Sequence, residues 1–392
     1  VYKKSTVDET YNELTANFKG NYSVVFRCYN QGVAYRFVTE LTSGQVTLNN
    51  EKAIYKFPEQ AKGYAAYSNR GKDGNIESQF LNSFENTYDC QPLSSLNSQR
   101  LIILPFLAEI PGSNTKVCIT ESDLYDYPGM FLRSNTNDSS MQGVYATVPK
   151  TTEQGGHNML QKMVKERHGY IAKTNGKRSF PWRIFAISEN DKELLDNDLV
   201  FLLGKPSPLT DLSWIKPGKV AWDWWNDWNL SGVDFRAGVN NDTYKYYIDF
   251  ASQNNIEYVI LQVIPQINLP ELAAYAKEKN VDLILWAGYW AFHRDIEKVV
   301  KHYAGMGIKG FKVDFMDRDD QEMVDFMWKA AELCAQYKML LDYHGTCKPF
   351  GLQRTYPNVI NYEGINGLEQ LKWKKQGYDQ VTYDLTFPFI RM

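Results

Sequence analysis

Cysteine is scarce in this chain. Only five occur in 392 residues: Cys28, Cys90, Cys118, Cys334 and Cys347. Their number is odd and the gaps are wide, so neither a disulfide framework nor a zinc site can be read from them. An excess of one charge is also missing. Lys plus Arg count 43 against 46 Asp plus Glu, a net charge of -3, and no nucleic-acid partner is expected from such a balance. No apolar run reaches the about 18 residues that cross a bilayer, so no membrane span is expected. No signal peptide is visible at Val1, which already lies in sequence of folded character. That absence says nothing about export, because a shortened start would remove such a segment.

What the chain does have is a core and many rings. Hydrophobic residues make up 43% and aromatics 14%, with 10 Trp and 26 Tyr. This composition is globular, and the length allows two domains. Flat aromatic faces suit sugar rings, and they equally fill β-sandwich cores.

Residues 1–212 read as β-rich. Alternating segments at 22–29 and 33–38 flank Asn30-Gln31-Gly32, a hairpin signal. Further short strands are expected at 101–107, 117–120 and 183–188, in the manner of a large antiparallel sandwich. The pattern changes at Trp214-Ile215-Lys216-Pro217-Gly218-Lys219. From 213 to 392 strand and helix periods alternate. Strands are expected at 220–225, 256–262, 281–286, 310–315, 339–344, 359–363 and 380–385, with helices at 243–254, 269–279, 294–306, 321–336 and 367–376. Repeated units of this length predict a parallel (β/α) barrel. With seven strands before Met392, an eight-strand barrel would be unfinished.

The segment Gly310-Phe311-Lys312-Val313-Asp314 is the most informative strand. Phe311 and Val313 seat it, and strand alternation puts Lys312 and Asp314 together on the other face. A charged pair is costly inside a plain core. At the C-terminal mouth of a parallel barrel it is where chemistry sits. Other polar groups expected at that rim are Asp223, Asn226, Asp227, Asp317, Asp342, His344, Glu363 and Glu369. Several acids at one rim fit glycoside cleavage, which needs two carboxyl groups facing one bond. Bland readings stand beside this one. Asp319 and Asp320 suit a helix start, and Asp342 and Glu363 suit loop anchors. His157 and His168 read as surface or sandwich groups, and His293 and His302 as helix residues without metal spacing. His344, ending a barrel strand, is a candidate ligand contact.

Several runs resemble glycoside hydrolase family 97. They are Lys219-Val220-Ala221-Trp222-Asp223-Trp224-Trp225-Asn226-Asp227-Trp228, Lys312 to Asp320, Lys348-Pro349-Phe350-Gly351-Leu352-Gln353-Arg354, and Glu363-Gly364-Ile365-Asn366-Gly367-Leu368-Glu369. In the β-rich part, Phe26-Arg27-Cys28-Tyr29-Asn30 and Ile119-Thr120-Glu121-Ser122-Asp123-Leu124-Tyr125-Asp126-Tyr127-Pro128-Gly129 extend the likeness. The resemblance implies an N-terminal β-super-sandwich, a catalytic (β/α)8 barrel lacking its last strand here, and a bacterial periplasmic or secreted location. It implies a retaining, exo-acting α-galactosidase acting on oligosaccharides or other glycosides. Asp314 maps onto the nucleophile, with Asp317 as the fallback, and Glu369 onto the acid/base. Calcium is implied as cofactor, held by Glu121, Glu363 and Glu369. Asp223, Lys312 and His344 are candidates for sugar hydroxyls, and Trp225 or Trp286 for ring stacking.

Inverting α-glucosidases of the family carry a base glutamate directly after the histidine of the fifth strand, where this chain has Gly345. An inverting α-glucosidase is the nearest rival expectation, and it needs a base that Gly345 cannot provide. A second departure follows the second strand, where Leu261-Gln262 runs straight into Val263-Ile264-Pro265-Gln266-Ile267-Asn268 in place of an Asp-Glu-Gly-Trp run and a long loop. That shortening and the unfinished barrel motivate a third expectation, an inactive carbohydrate-binding homologue.

Overall fold

The computed structural model describes residues 3–68, 75–135, 137–373 and 379–391. The first half is a twelve-stranded, branched antiparallel sheet with a separate two-stranded ribbon, Pro149–Gly155 against Gln161–Arg167. The hairpin expected around Asn30 forms: Tyr22–Tyr29 pairs with Gly32–Leu48, Tyr29 opposite Gly32. Strands Ile102–Glu109, Lys116–Ser122 and Trp182–Ser188 answer the other β expectations. The expected boundary at 212/213 falls in an irregular segment after the short helix Leu199–Leu202.

The second half is a parallel sheet of six strands in sequence order: Val220–Trp222, Tyr258–Gln262, Asp282–Gly288, Gly310–Asp314, Leu340–Tyr343 and Val359–Tyr362. Among the described residues the first and sixth strands remain edges, so the sheet is a half-barrel rather than a closed one. The seventh strand expected at 380–385 is a helix, Gln380–Thr386, capped by Asp379 accepting from the Thr382 N–H at 2.9 Å. The first strand is shorter than expected and passes into a 3-10 turn at Asp223–Asn226. The helix expected at 367–376 is a 3-10 turn at Leu368–Lys372, and positions 374–376 lie outside the described residues.

Alternation gives this sheet two different faces. Val259, Leu261, Leu283, Leu285, Phe311 and Val313 are buried on one side in the large core. The helices cover that side with faces of helical period, such as Tyr244, Tyr247, Ile248 and Ala251 of Asn241–Gln253. Tyr258, Ile260, Ile284 and Leu340 point the other way and pack with Trp222 and Trp286 in a smaller cluster. Along that inner face the strands carry their polar ends upward to the site.

Ion pairs and buried hydrogen bonds lock the two halves together. Arg318 is buried between Asp320 at 3.0 Å and Glu322 at 3.1 Å, and Arg167 from the ribbon reaches the same Asp320 at 3.1 Å. Trp328 donates its indole N–H to the Leu124 carbonyl at 2.6 Å. Removing one partner of such a buried pair costs about 3–5 kcal/mol, because the other charge is left unpaired. The segment that follows the fourth strand is thus clamped to the β-rich half.

Candidate active site

The C-terminal ends of the parallel strands open into a pocket of about 570 Å³. Its barrel walls include Asp314, His344, Glu363, Glu369, Gln262 and five of the chain's ten tryptophans: Trp222, Trp224, Trp228, Trp286 and Trp373. The β-rich half adds Glu85, His157, Asn158 and Leu160. Aromatic faces beside carboxylates make a pocket suited to the apolar faces and hydroxyls of a sugar.

Asp314 is the last residue of the fourth strand. One carboxylate oxygen accepts from the Trp286 indole N–H at 3.1 Å, and the other accepts from the Phe315 backbone N–H at 2.8 Å. Phe315 makes the second bond by turning into the left-handed region, φ 63°. Two fixed donors hold the carboxylate in one orientation.

A line of alternating charges runs beside it. Lys312 Nζ lies 3.8 Å from Asp342, Asp342 lies 3.3 Å from His344 Nε2, and His344 Nδ1 lies 3.0 Å from Glu363. Burial works against the imidazolium, but the flanking Asp342 and Glu363 charges prevail and push the His344 pKa up to about 10. In return His344 and Lys312 hold Asp342 far below the usual carboxylate range, and the same two cations lower Glu363. His344, Asp314 and Glu363 have ligand atoms within 4.8 Å of one another.

Glu369, on the 3-10 turn, is shifted the opposite way. Burial comes first, then the Glu363 charge, and Asp314 adds to both, so its pKa is raised, with Trp224 and Lys312 opposing. Glu85 behaves alike: burial and then Glu363 push it up to about 7, and its carboxylate accepts from Gln370 Nε2 at 2.8 Å. The pocket therefore combines an oriented carboxylate, Asp314, with one whose pKa is raised, Glu369.

Other expected residues lie elsewhere. Asp223 is 1% exposed beside Tyr244, and burial raises its pKa to about 6, but it does not line the pocket. Trp225 is 57% exposed and lines an adjoining cleft on the open side of the sheet, together with Lys312 and Asp342. Lys312 is buried there, its ammonium 4.7 Å from the Trp222 ring centroid. Trp286 is the expected tryptophan that does face the site. Asp317, the fallback, is turned toward the β-rich half, where it accepts from Gln161 Nε2. Asp320 caps the helix Gln321–Gln336 by accepting from the Met323 N–H at 3.2 Å. Glu121 is fully buried off the pocket and already neutralised, paired with Arg183 and Lys348 and accepting from the Met130 N–H at 3.0 Å. It is not available to a cation in the pocket. Glu85, His157, Asn158, Trp224, Trp228 and Trp373 were not foreseen in these positions. Their only sequence signals are the Trp-rich run near 222–228 and the Gly155-Gly156 pair before His157.

Fold and pocket together define an open parallel half-barrel whose strand ends, with a β-rich companion, wall an acidic, tryptophan-lined pocket. The chain belongs to glycoside hydrolase family 97: residues 224–365 match the glycoside hydrolase 97 model, and residues 1–206 match the glycosyl-hydrolase 97 N-terminal model. It is 55% identical over 403 residues to the retaining α-galactosidase of Bacteroides thetaiotaomicron, covering 100% of this chain and 61% of that protein. The chain thus spans about three-fifths of that relative's length. Among solved structures it is similar to a β-arabinopyranosidase, with a TM-score of 0.80 at 23% identity, covering 98% of this chain and 62% of that one. A family 97 enzyme from a Pseudoalteromonas species gives a TM-score of 0.76 at 22% identity, covering 94% and 59%.

The charge line makes a pH prediction. A histidine with a raised folded pKa contributes stability that is complete below its unfolded value of about 6.5. That contribution is lost as pH rises through about 10. The gap in unfolding free energy between the protein and His344→Gln should therefore shrink from about pH 6 to about pH 10. Urea unfolding at several pH values measures it, and a gap that stays constant over that range contradicts a protonated His344.

Proposed function

We propose that the protein is a retaining, exo-acting α-galactosidase that works through a covalent glycosyl-enzyme ester. The observation that carries this reading is the pairing in one pocket of Asp314, held by two N–H donors, with Glu369, whose proton affinity is raised. The 55% identity to a retaining α-galactosidase supports the choice of sugar and stereochemistry.

In the first step an Asp314 oxygen attacks the anomeric carbon as the glycosidic C–O bond breaks. The Glu369 proton goes to the departing oxygen. The Asp314 charge is consumed in the ester, so one of the causes that raise Glu369 disappears and it becomes a base. In the second step Glu369 takes a proton from water, the water oxygen attacks the anomeric carbon, and Asp314 leaves as carboxylate. Two inversions give net retention, and the two carboxyl groups of such enzymes stand about 5–5.5 Å apart. His344, on the charge line, is suited to sugar hydroxyls, and Trp286 to the ring face.

Gly345 speaks against the inverting rival. Its φ is +53°, and a Cβ there would lie 2.4 Å from Asp317 Oδ1 and 3.0 Å from the Phe315 nitrogen. A glutamate base does not fit at this position without moving the turn that orients Asp314. The inactive-homologue reading rests on the short connection 263–268 and on the open six-stranded sheet; against it, both carboxyl groups and the aromatic walls line one pocket without a longer loop.

Calcium belongs to the same proposal. Glu363 and Glu369 are suited to hold it, and Glu85 replaces Glu121 as the acid supplied by the β-rich half. Crowding fits the ion: Glu363 raises the pKa of both Glu85 and Glu369, a repulsion that a divalent cation relieves. When bound, calcium would polarise sugar hydroxyls and hold the acids in place.

NMR should detect the α-anomer of galactose as the first product from an α-galactoside; β-galactose appearing first means inversion. Glu369→Gln should lower kcat/KM for an alkyl galactoside by about 10²–10⁴-fold and spare kcat/KM for galactosyl fluoride, whose leaving group needs no proton, while ester hydrolysis slows for both. Equal losses of kcat/KM on both substrates remove Glu369 as the acid. Calcium added to chelator-treated protein should raise its melting temperature, and Glu85→Ala should weaken that shift. A melting temperature indifferent to calcium contradicts the ion's role.

A further inference from the structure

The β-rich half contributes more than packing to the pocket. Its segment 156–160 lies between the two ribbon strands and reaches the ends of the third and fourth barrel strands. Asn158 and Met159 are both left-handed, φ 47° and 60°. Side chains rarely hold that conformation unless their surroundings impose it. Here the constraints are visible. The His157 N–H donates to Gln161 Oε1 at 2.8 Å, Gln154 Nε2 donates to the Met159 carbonyl at 2.8 Å, and the Trp290 N–H donates to the Leu160 carbonyl at 2.9 Å. Leu160 packs so closely on Gly288 that a Cβ there would lie 2.7 Å from it.

This fixed turn presents polar groups to the pocket. The His157 ring stacks on Phe315 with centroids 5.1 Å apart and planes at 22°. Asn158 Nδ2 lies 3.1 Å from His157 Nε2. The Asn158 amide oxygen accepts no hydrogen bond among the described residues. From the barrel, Trp373 is 56% exposed and lies 6.1 Å from Trp224, ring to ring. His157, Asn158 and Trp373 are the exposed members of the lining, whereas Asp314, His344, Glu363 and Glu369 are half-buried. The exposed residues form the mouth and the acids the depth. In an exo-acting pocket the sugar being released sits deep, so the group it leaves behind sits at the mouth.

We infer that His157, Asn158 and Trp373 form a leaving-group subsite that binds a second sugar unit. Trp373 supplies the flat surface, and the Asn158 amide and His157 imidazole supply the hydroxyl contacts. The inference rests on the proposed reaction, because that reaction defines which end of the substrate faces outward. The β-rich half thus supplies the polar contacts of this subsite and the barrel its flat surface. The preferred substrates are then galactosyl oligosaccharides, in which the leaving group is itself a sugar.

Two substrates separate the subsite from the chemistry. α-Galactosyl fluoride fills only the deep position, and an α-galactosyl disaccharide fills both. Asn158→Gly keeps the left-handed backbone and removes the amide, and Trp373→Ala removes the surface. Each should lower kcat/KM on the disaccharide about five- to tenfold, the size of one lost contact, and change it less than twofold on the fluoride. Equal losses on both substrates, or no loss on either, overturn the subsite. Calorimetry with Asp314→Gly gives the same comparison without turnover. There the disaccharide should bind more tightly than galactose, and Asn158→Gly should reduce that advantage about five- to tenfold. Equal binding of the two sugars also overturns it. Failure of the proposed reaction is distinct: it shows as wild-type protein inert toward galactosyl fluoride whatever the binding results.

Discussion

The site depends on one half-buried cation, His344, held between Asp342 and Glu363. That arrangement keeps Glu363 ionised at the pocket edge. Glu363 in turn raises the proton affinity of Glu369 and of Glu85. A neutral His344 would remove a partner that lowers the Glu363 pKa, and the upward shift of Glu369 would lose its second cause. Asp314 stands outside this chain of dependence, because its own orientation comes from Trp286 and the Phe315 N–H. Two acids of one chemical type thus acquire different roles from their neighbours.

The β-rich half completes the pocket. It clamps the segment beyond the fourth strand through Arg167, Asp320 and Arg318. It also brings Glu85 and the 156–160 turn to the rim. Glu85 follows Phe84, a buried residue with φ 63° whose carbonyl accepts from Arg391 Nη2 at 3.3 Å. Both contributions to the rim therefore come from strained, anchored backbone, and not from the ends of the sheet. Such a rim is preformed and needs little reordering when a sugar arrives.

Much of this was legible in the sequence where periodicity carries the signal. Alternation in Gly310–Asp314 placed Phe311 and Val313 in the core and Lys312 and Asp314 on the opposite face, and the structure has that arrangement. The five other parallel strands and the helices between them follow from the same patterns. The reading failed at 380–385. Val381, Tyr383 and Leu385 alternate like a strand, but Val381 is 69% and Leu385 70% exposed, while Gln380 and Tyr383 are buried at helical spacing. The Asp379 cap was the overlooked sign. Glu121 was misplaced for another reason. Resemblance supplied its role, and nothing local reveals that Arg183 and Lys348, distant in sequence, neutralise it. Glu85 and His157 could not be found at all, since no period marks a loop residue that meets the barrel more than 150 positions later.

The central claim is that Asp314 carries the sugar in a covalent ester. Incubation with a 2-fluoro-galactosyl donor bearing an activated leaving group, followed by proteolysis and mass spectrometry of the peptides, tests it most directly. The account predicts a single fluorogalactosyl adduct on the peptide that contains Asp314, at that residue. An adduct on Asp317 or Glu363, or turnover without any adduct, would contradict it.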